Sequence, residues 1–182
     1  MNYGPRALTL RSTGRAGTCL VLVTHPSARR LPPTLGRIKS RMPPLSSLLA
    51  RIVTWATHRN DIVGLALVGS PARGTARPDS DVDLIVLTPQ PGSFRESQAW
   101  LAGIDWSALG LSVKACRDAV YGAVWSRHVE LSDRSWVEFG FARIDWAATR
   151  PCDPGTRCVV SGGCRVLYDP VGLLGSLLKD AA

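Results

Sequence analysis

Two carboxylates, Asp81 and Asp83, stand at the head of an aliphatic run that continues Leu84-Ile85-Val86-Leu87. Side chains two apart on a strand share a face, so both acids point the same way as Ile85 and Leu87. Unpaired carboxylates leading into a buried face cost free energy through desolvation and mutual repulsion. A divalent cation removes both penalties, and hard carboxylate oxygens suit Mg²⁺. For an isolated D-x-D the plainer reading is a pair of acids in a solvated turn after Pro78. The residues upstream shift the balance.

Ile62 to Val68 ends in Gly69-Ser70-Pro71, which reads as a strand delivering the chain into a helix N-terminus, with Ser70 as N-cap and Pro71 at the first helical position. The free N–H groups of such an end favour anions. Gly69 lets a phosphate approach the backbone, and the Ser70 hydroxyl adds a donor. Arg73 can make a planar, bidentate phosphate contact. Arg77 is weighed equally as a phosphate ligand and as a solvated side chain, and Ser80 as a partner of Asp81 or phosphate and as a turn residue. No G-x-x-x-x-G-K-[ST] or G-x-G-x-x-G pattern is present. A phosphate cradle beside metal-binding carboxylates is what metal-dependent phosphoryl or nucleotidyl transfer requires.

Gly69-Ser70, Arg73-Gly74 and Ser80-Asp81-Val82-Asp83-Leu84 together resemble the signature of the DNA polymerase β-type nucleotidyltransferase superfamily. The likeness is greatest to its small stand-alone members, the minimal nucleotidyltransferases of prokaryotes, and it covers roughly residues 45 to 142. The resemblance implies a third carboxylate on a neighbouring strand. Glu130 in Val-Glu-Leu and Glu138 in Val-Glu-Phe both qualify. Glu130 shares its face with Ser126 and His128, a polar set that suits solvent, and His128 reads as a surface histidine. Glu138 shares its face with Trp136 and Gly140, and Gly140 would leave space for a ligand. Glu138 is therefore preferred, with Glu130 as the fallback.

The resemblance further implies a two-metal mechanism using Mg²⁺, with Mn²⁺ as a substitute. Asp81, Asp83 and Glu138 would be the metal ligands, and Gly69, Ser70, Arg73 and Ser80 the nucleotide contacts. An NTP, ATP by preference, would give its NMP to an acceptor hydroxyl and release pyrophosphate. Two kinds of alternative come with the likeness. One is an antitoxin-type role, pairing with a helical HEPN-like toxin. The other is nucleotide addition to RNA ends or to small molecules such as antibiotics.

The elements that must position these residues are legible from period and punctuation. Leu48, Leu49, Ile52, Val53 and Trp55 recur at helical spacing, with Ser46 or Ser47 available as a cap and Asn60-Asp61 as the stop. Gly74 ends the helix after Pro71, Pro78-Asp79-Ser80 makes a turn, and Val82 to Leu87 is a strand. Phe94 to Leu101 suits a helix and Leu111 to Ala115 a strand. Val124–Leu131 and Trp136–Ala142 form a hairpin through Ser132-Asp133-Arg134-Ser135. Residues from about 143 read as loop-rich, up to Arg165–Tyr168 and a final short helix from Leu173 to Leu178. The expected fold is α/β (α+β), a small mixed sheet of four or five strands flanked by helices mostly on one face.

The net charge of +8 does not describe this domain. Residues 1–41 hold eight of the 22 basic residues and none of the 14 acidic ones, so residues 42–182 are formally neutral. That neutrality disfavours a nucleic-acid face. The basic stretch is expected to be disordered. It reads as a nucleic-acid or membrane arm, as an organelle-targeting segment, or, the preferred reading, as sequence upstream of a start at Met42. No apolar run is long enough to span a bilayer, so no membrane partner and a cytoplasmic location are expected. Five cysteines, Cys19, Cys116, Cys152, Cys158 and Cys164, are expected as reduced thiols, since their spacing does not suit a zinc site.

Overall fold

The computed structural model describes residues 43–77 and 80–181. The expectations for residues 1–41, and those for Pro78 and Asp79 within the turn, lie outside the described residues. In chain order the elements are α1 (Leu45–Thr57), β1 (Gly64–Val68), α2 (Gly69–Ala72), β2 (Val82–Leu87) and α3 (Pro91–Glu96). They continue with β3 (Val113–Tyr121), β4 (Val124–Leu131), β5 (Trp136–Ala142), α4 (Pro154–Ser161), β6 (Cys164–Tyr168) and α5 (Leu173–Ala181).

The strands form one mixed sheet of six, ordered β3-β4-β5-β2-β1-β6. Only β2 and β5 run parallel, and every other neighbouring pair is antiparallel. The sheet is thus slightly larger than the four or five strands expected. The main surprise is β3, nine residues long where Leu111–Ala115 was expected. It is an edge strand, largely exposed, whose mixed polar sequence shows no clean alternation.

Helices cover both faces, not mainly one. On the first face Leu48, Leu49, Ile52, Trp55 and Ala56 of α1 recur at three- and four-residue spacing and are buried with Phe94, Trp100, Phe139 and Phe141. Phe94 stacks on Phe141 with ring centroids 4.5 Å apart. On the second face Ala66, Ile85 and Leu87 pack with Trp146, Val160, Leu174 and Leu177. Residues 143–181, expected to be loop-rich, supply β6 to the sheet edge and α4 and α5 to that second layer.

Local boundaries depart from the sequence reading in three places. Pro44 precedes α1 without a side-chain cap, so neither Ser46 nor Ser47 caps it, and the helix stops at Thr57. The expected helix Phe94–Leu101 breaks at Ser97, which is extended, and resumes as a 3-10 turn over Ala99–Gly103. The Trp100 indole N–H donates to the Phe94 carbonyl at 3.0 Å and ties the two pieces together. Third, α2 begins at Gly69 behind Val68, so Ser70 lies inside a single helical turn and is not its N-cap.

Cys116, Cys152 and Cys164 carry free thiols, whereas Cys158 is disulfide-bonded, against the expectation of reduced thiols throughout. Among the described residues no helix is long and apolar enough to cross a membrane.

Candidate active site

The parallel pairing of β2 with β5 sets Asp83 directly opposite Glu138. Partners on neighbouring strands project from the same face, so the two carboxylates stand side by side. Asp81, two residues earlier on the chain, adds its charge to the same side. Burial, then the charges of Glu138 and Asp81, push the Asp83 carboxyl up to about 6. No hydrogen bond or ion pair reaches the Asp83 carboxylate from another described residue. A half-buried acid held among like charges with no cation is unfavourable unless something else supplies the positive charge.

The antiparallel neighbour β4 extends this row. His128 lies directly opposite Glu138, and its Nδ1 comes within 3.4 Å of the Glu138 Oε2. The expectation of a surface histidine is corrected: His128 is 8% exposed, and Ser126 beside it is 1% exposed. The Tyr121 hydroxyl lies 3.3 Å from His128 Nε2. Burial and the nearby Glu138 charge push the Tyr121 phenol up, so it stays protonated. Glu130, the fallback, instead faces Trp136 of β5 and Ala115 of β3. It is two strands from Asp83 and not its register partner. Sequence reasoning put His128 in the wrong setting and assigned Tyr121 no role, because parity along one strand cannot show what a neighbouring strand brings opposite.

The Gly69-Ser70 turn abuts the carboxylates because β1 pairs antiparallel with β2, with Val68 facing Asp83. Gly69 adopts φ +73°, and a Cβ there would lie 3.2 Å from the Asp83 Oδ2. Its N–H is already committed to the Gly163 carbonyl at 3.0 Å. The turn also presents the Ser70 hydroxyl, which no described residue hydrogen-bonds. Arg73 is exposed and in no ion pair with a described residue. Its stem crosses Gly163, where a Cβ would lie 2.5 Å from the Arg73 Cγ. Arg77 is also exposed. Ser80 closes the turn: its hydroxyl accepts the Arg77 N–H at 2.8 Å, and its own N–H donates to the Arg77 carbonyl at 3.0 Å. Gly140 leaves no room for a ligand, since a Cβ there would meet Val124 at 3.0 Å and Ile85 at 3.1 Å.

Among the described residues no three His, Cys, Asp or Glu side chains form a ready-made metal cage. Mg²⁺ does not require one, since it keeps several waters and takes one or two carboxylates plus substrate phosphates. Asp83 and Glu138, side by side on rigid strands, fit that mode of binding.

No curated protein matches the chain. The family model of the nucleotidyltransferase domain matches residues 49–116. The match takes in Gly69, Ser70, Arg73, Asp81 and Asp83, and it ends before Glu138 and His128. The residues from α1 into β3 are thus similar to a nucleotidyltransferase domain.

Proposed function

We propose that the chain is a metal-dependent nucleotidyltransferase that moves the NMP of an NTP, ATP by preference, to an acceptor hydroxyl. The observation that carries this reading is Asp83 opposite Glu138 in a strand pair that begins inside the matched domain. Asp81 and Asp83 would hold Mg²⁺ on the triphosphate, and Asp83 with Glu138 would share a second ion. Bound there, the cations would acidify the attacking hydroxyl and offset charge on the leaving pyrophosphate.

The chain's own residues do the rest. The Ser70 hydroxyl donates to a phosphate oxygen, and Gly69 admits that oxygen close to the backbone. Arg73 offers a planar pair of donors to the triphosphate. Glu138 accepts the proton of the acceptor hydroxyl. Ser80 shapes the turn that carries Asp81. The site face of β3, β4 and β5 bears exposed Arg117 and Tyr121, and no described helix packs broadly on β3. An acceptor therefore approaches over an open sheet, which suits a macromolecule or a substrate walled in by a partner protein.

Incubation with each α-³²P NTP, Mg²⁺ and cell extract tests the reading. Label on protein, RNA or a small molecule is expected, and it should vanish with Asp83→Asn. Equal labelling by wild type and Asp83→Asn would overturn it.

A further inference from the structure

Glu138 has unequal neighbours. Asp83 flanks it on β5's parallel side and repels it, while His128 flanks it on the antiparallel side and attracts it. The imidazole is itself braced from β3, where the Tyr121 hydroxyl lies 3.3 Å from Nε2 and its ring meets His128 edge-on with centroids 6.3 Å apart. A proton on Nδ1 would serve the Glu138 carboxylate, which only accepts, and would leave Nε2 to accept from the Tyr121 hydroxyl. Arg117 is opposite His128 on β3, yet it is turned to the Trp136 ring at 4.7 Å and forms no ion pair with a described carboxylate. The imidazole is thus the one cationic or donor group within ion-pair distance of Glu138 among the described residues.

We propose that His128, braced by Tyr121, is a positioning residue that fixes the Glu138 carboxylate for its work at the metal and the acceptor hydroxyl. The role rests on the transferase reading only for its consequence in catalysis. Holding Oε2 toward β4 restricts the Glu138 rotamer and leaves its other oxygen for the metal and the acceptor hydroxyl. Groups that orient a metal ligand through its far side commonly account for 10–100-fold in affinity or rate. His128 is nearly enclosed although it stands on the open side of the sheet, which keeps water from competing for this contact.

The test compares wild type with His128→Ala, His128→Asn and Tyr121→Phe, each also in a Glu138→Gln background, after thermal melts confirm folding. The first measurement is Mn²⁺ titration by electron paramagnetic resonance, with a non-hydrolysable ATP analogue present. The second is transfer of label from α-³²P ATP. His128→Ala should weaken Mn²⁺ binding about 10-fold and slow transfer about 10–100-fold, with the KM for ATP changed less than about twofold. His128→Asn, whose amide can replace the Nδ1 donor, should recover most of both losses. In Glu138→Gln none of the three should have a further effect. The inference is overturned if wild type binds no Mn²⁺, if His128→Ala binds it as wild type does, or if its effect persists in Glu138→Gln. Absence of label transfer by wild type would overturn the transferase reading alone, because the Mn²⁺ titration still decides the positioning role.

Discussion

Asp83 on β2 and Glu138 on β5 are register partners in the one parallel strand pair among the described residues. Burial, and after it the charges of Glu138 and Asp81, push the Asp83 carboxyl from its ordinary 3.8 up to about 6. The folded state therefore binds the proton more tightly than the unfolded chain. The resulting penalty is absent below about pH 3.8, grows through pH 6, and is complete above it. At about 1.4 kcal/mol per unit it amounts to no more than about 3 kcal/mol. Asp83→Asn should raise the Tm of the metal-free protein by about 5–10 °C at pH 8 and by little at pH 4. Thermal melts in EDTA across that range would show it, and equal Tm values at pH 8 would contradict it.

Adding the missing charge should reverse that order. Mg²⁺ with a non-hydrolysable ATP analogue at about 100 times its Kd should stabilise wild type by about 2.7 kcal/mol. Asp81→Asn, Asp83→Asn and Glu138→Gln should lose most of this shift, and their transfer rates should fall at least about 100-fold. Glu130→Gln, two strands away from Asp83, should stay within about threefold of wild type on both measures. A Glu130 effect as large as that of Glu138 would move the third carboxylate.

On the opposite face, Arg127 of β4 is 3% exposed and pairs with Asp118 of β3 at 2.9 Å. Its guanidinium also donates to the carbonyls of Phe94 and Arg95, both at 3.3 Å. It therefore pins the edge hairpin to the C-terminal end of α3. The same contact holds the Asp118 carboxyl below the usual range. Arg127→Ala should cost about 3–5 kcal/mol, because it strands buried carbonyls and opens a cavity. Asp118→Asn, on the more exposed partner, should cost about 1 kcal/mol or less. Urea denaturation would rank them.

What the sequence made legible follows from how local each signal is. Asp81, Asp83 and the Gly69-Ser70 turn lie within one short stretch of chain, and the antiparallel β1–β2 pair brings them together with little help from elsewhere. Glu138 could be ranked above Glu130, but its partnership with Asp83 depends on a parallel register that no local pattern encodes. Ser126 and His128 looked solvent-facing on their own strand and are buried only because β3 and β5 flank them. The role of Gly140 was misread for the same reason, since Val124 and Ile85 fill the space beside it. Residues 143–181 looked irregular because their helices are short and their strand is only half-buried.

Gly163 lies far along the chain from the matched domain, yet it holds the Gly69-Ser70 turn in two ways. Its carbonyl accepts the Gly69 N–H at 3.0 Å, and its bare α-carbon lets the Arg73 stem pass. A Cβ there would meet the Arg73 Cγ at 2.5 Å and the Gly69 carbonyl at 3.0 Å, at a φ of +111° that disfavours any side chain. Gly163→Ala should therefore cost about 1–3 kcal/mol of stability and also displace Arg73. If Arg73 contacts the triphosphate, Arg73→Ala and Gly163→Ala should each raise the KM for ATP by about 10-fold, the loss of one charged hydrogen bond. Their combination should raise it no further, because the second change removes a contact already lost. The stability cost of Gly163→Ala should shrink but persist in the double variant, since the backbone strain remains when the clash is gone. Multiplying KM effects would instead show that Gly163 acts on the cradle through Gly69 and not through Arg73.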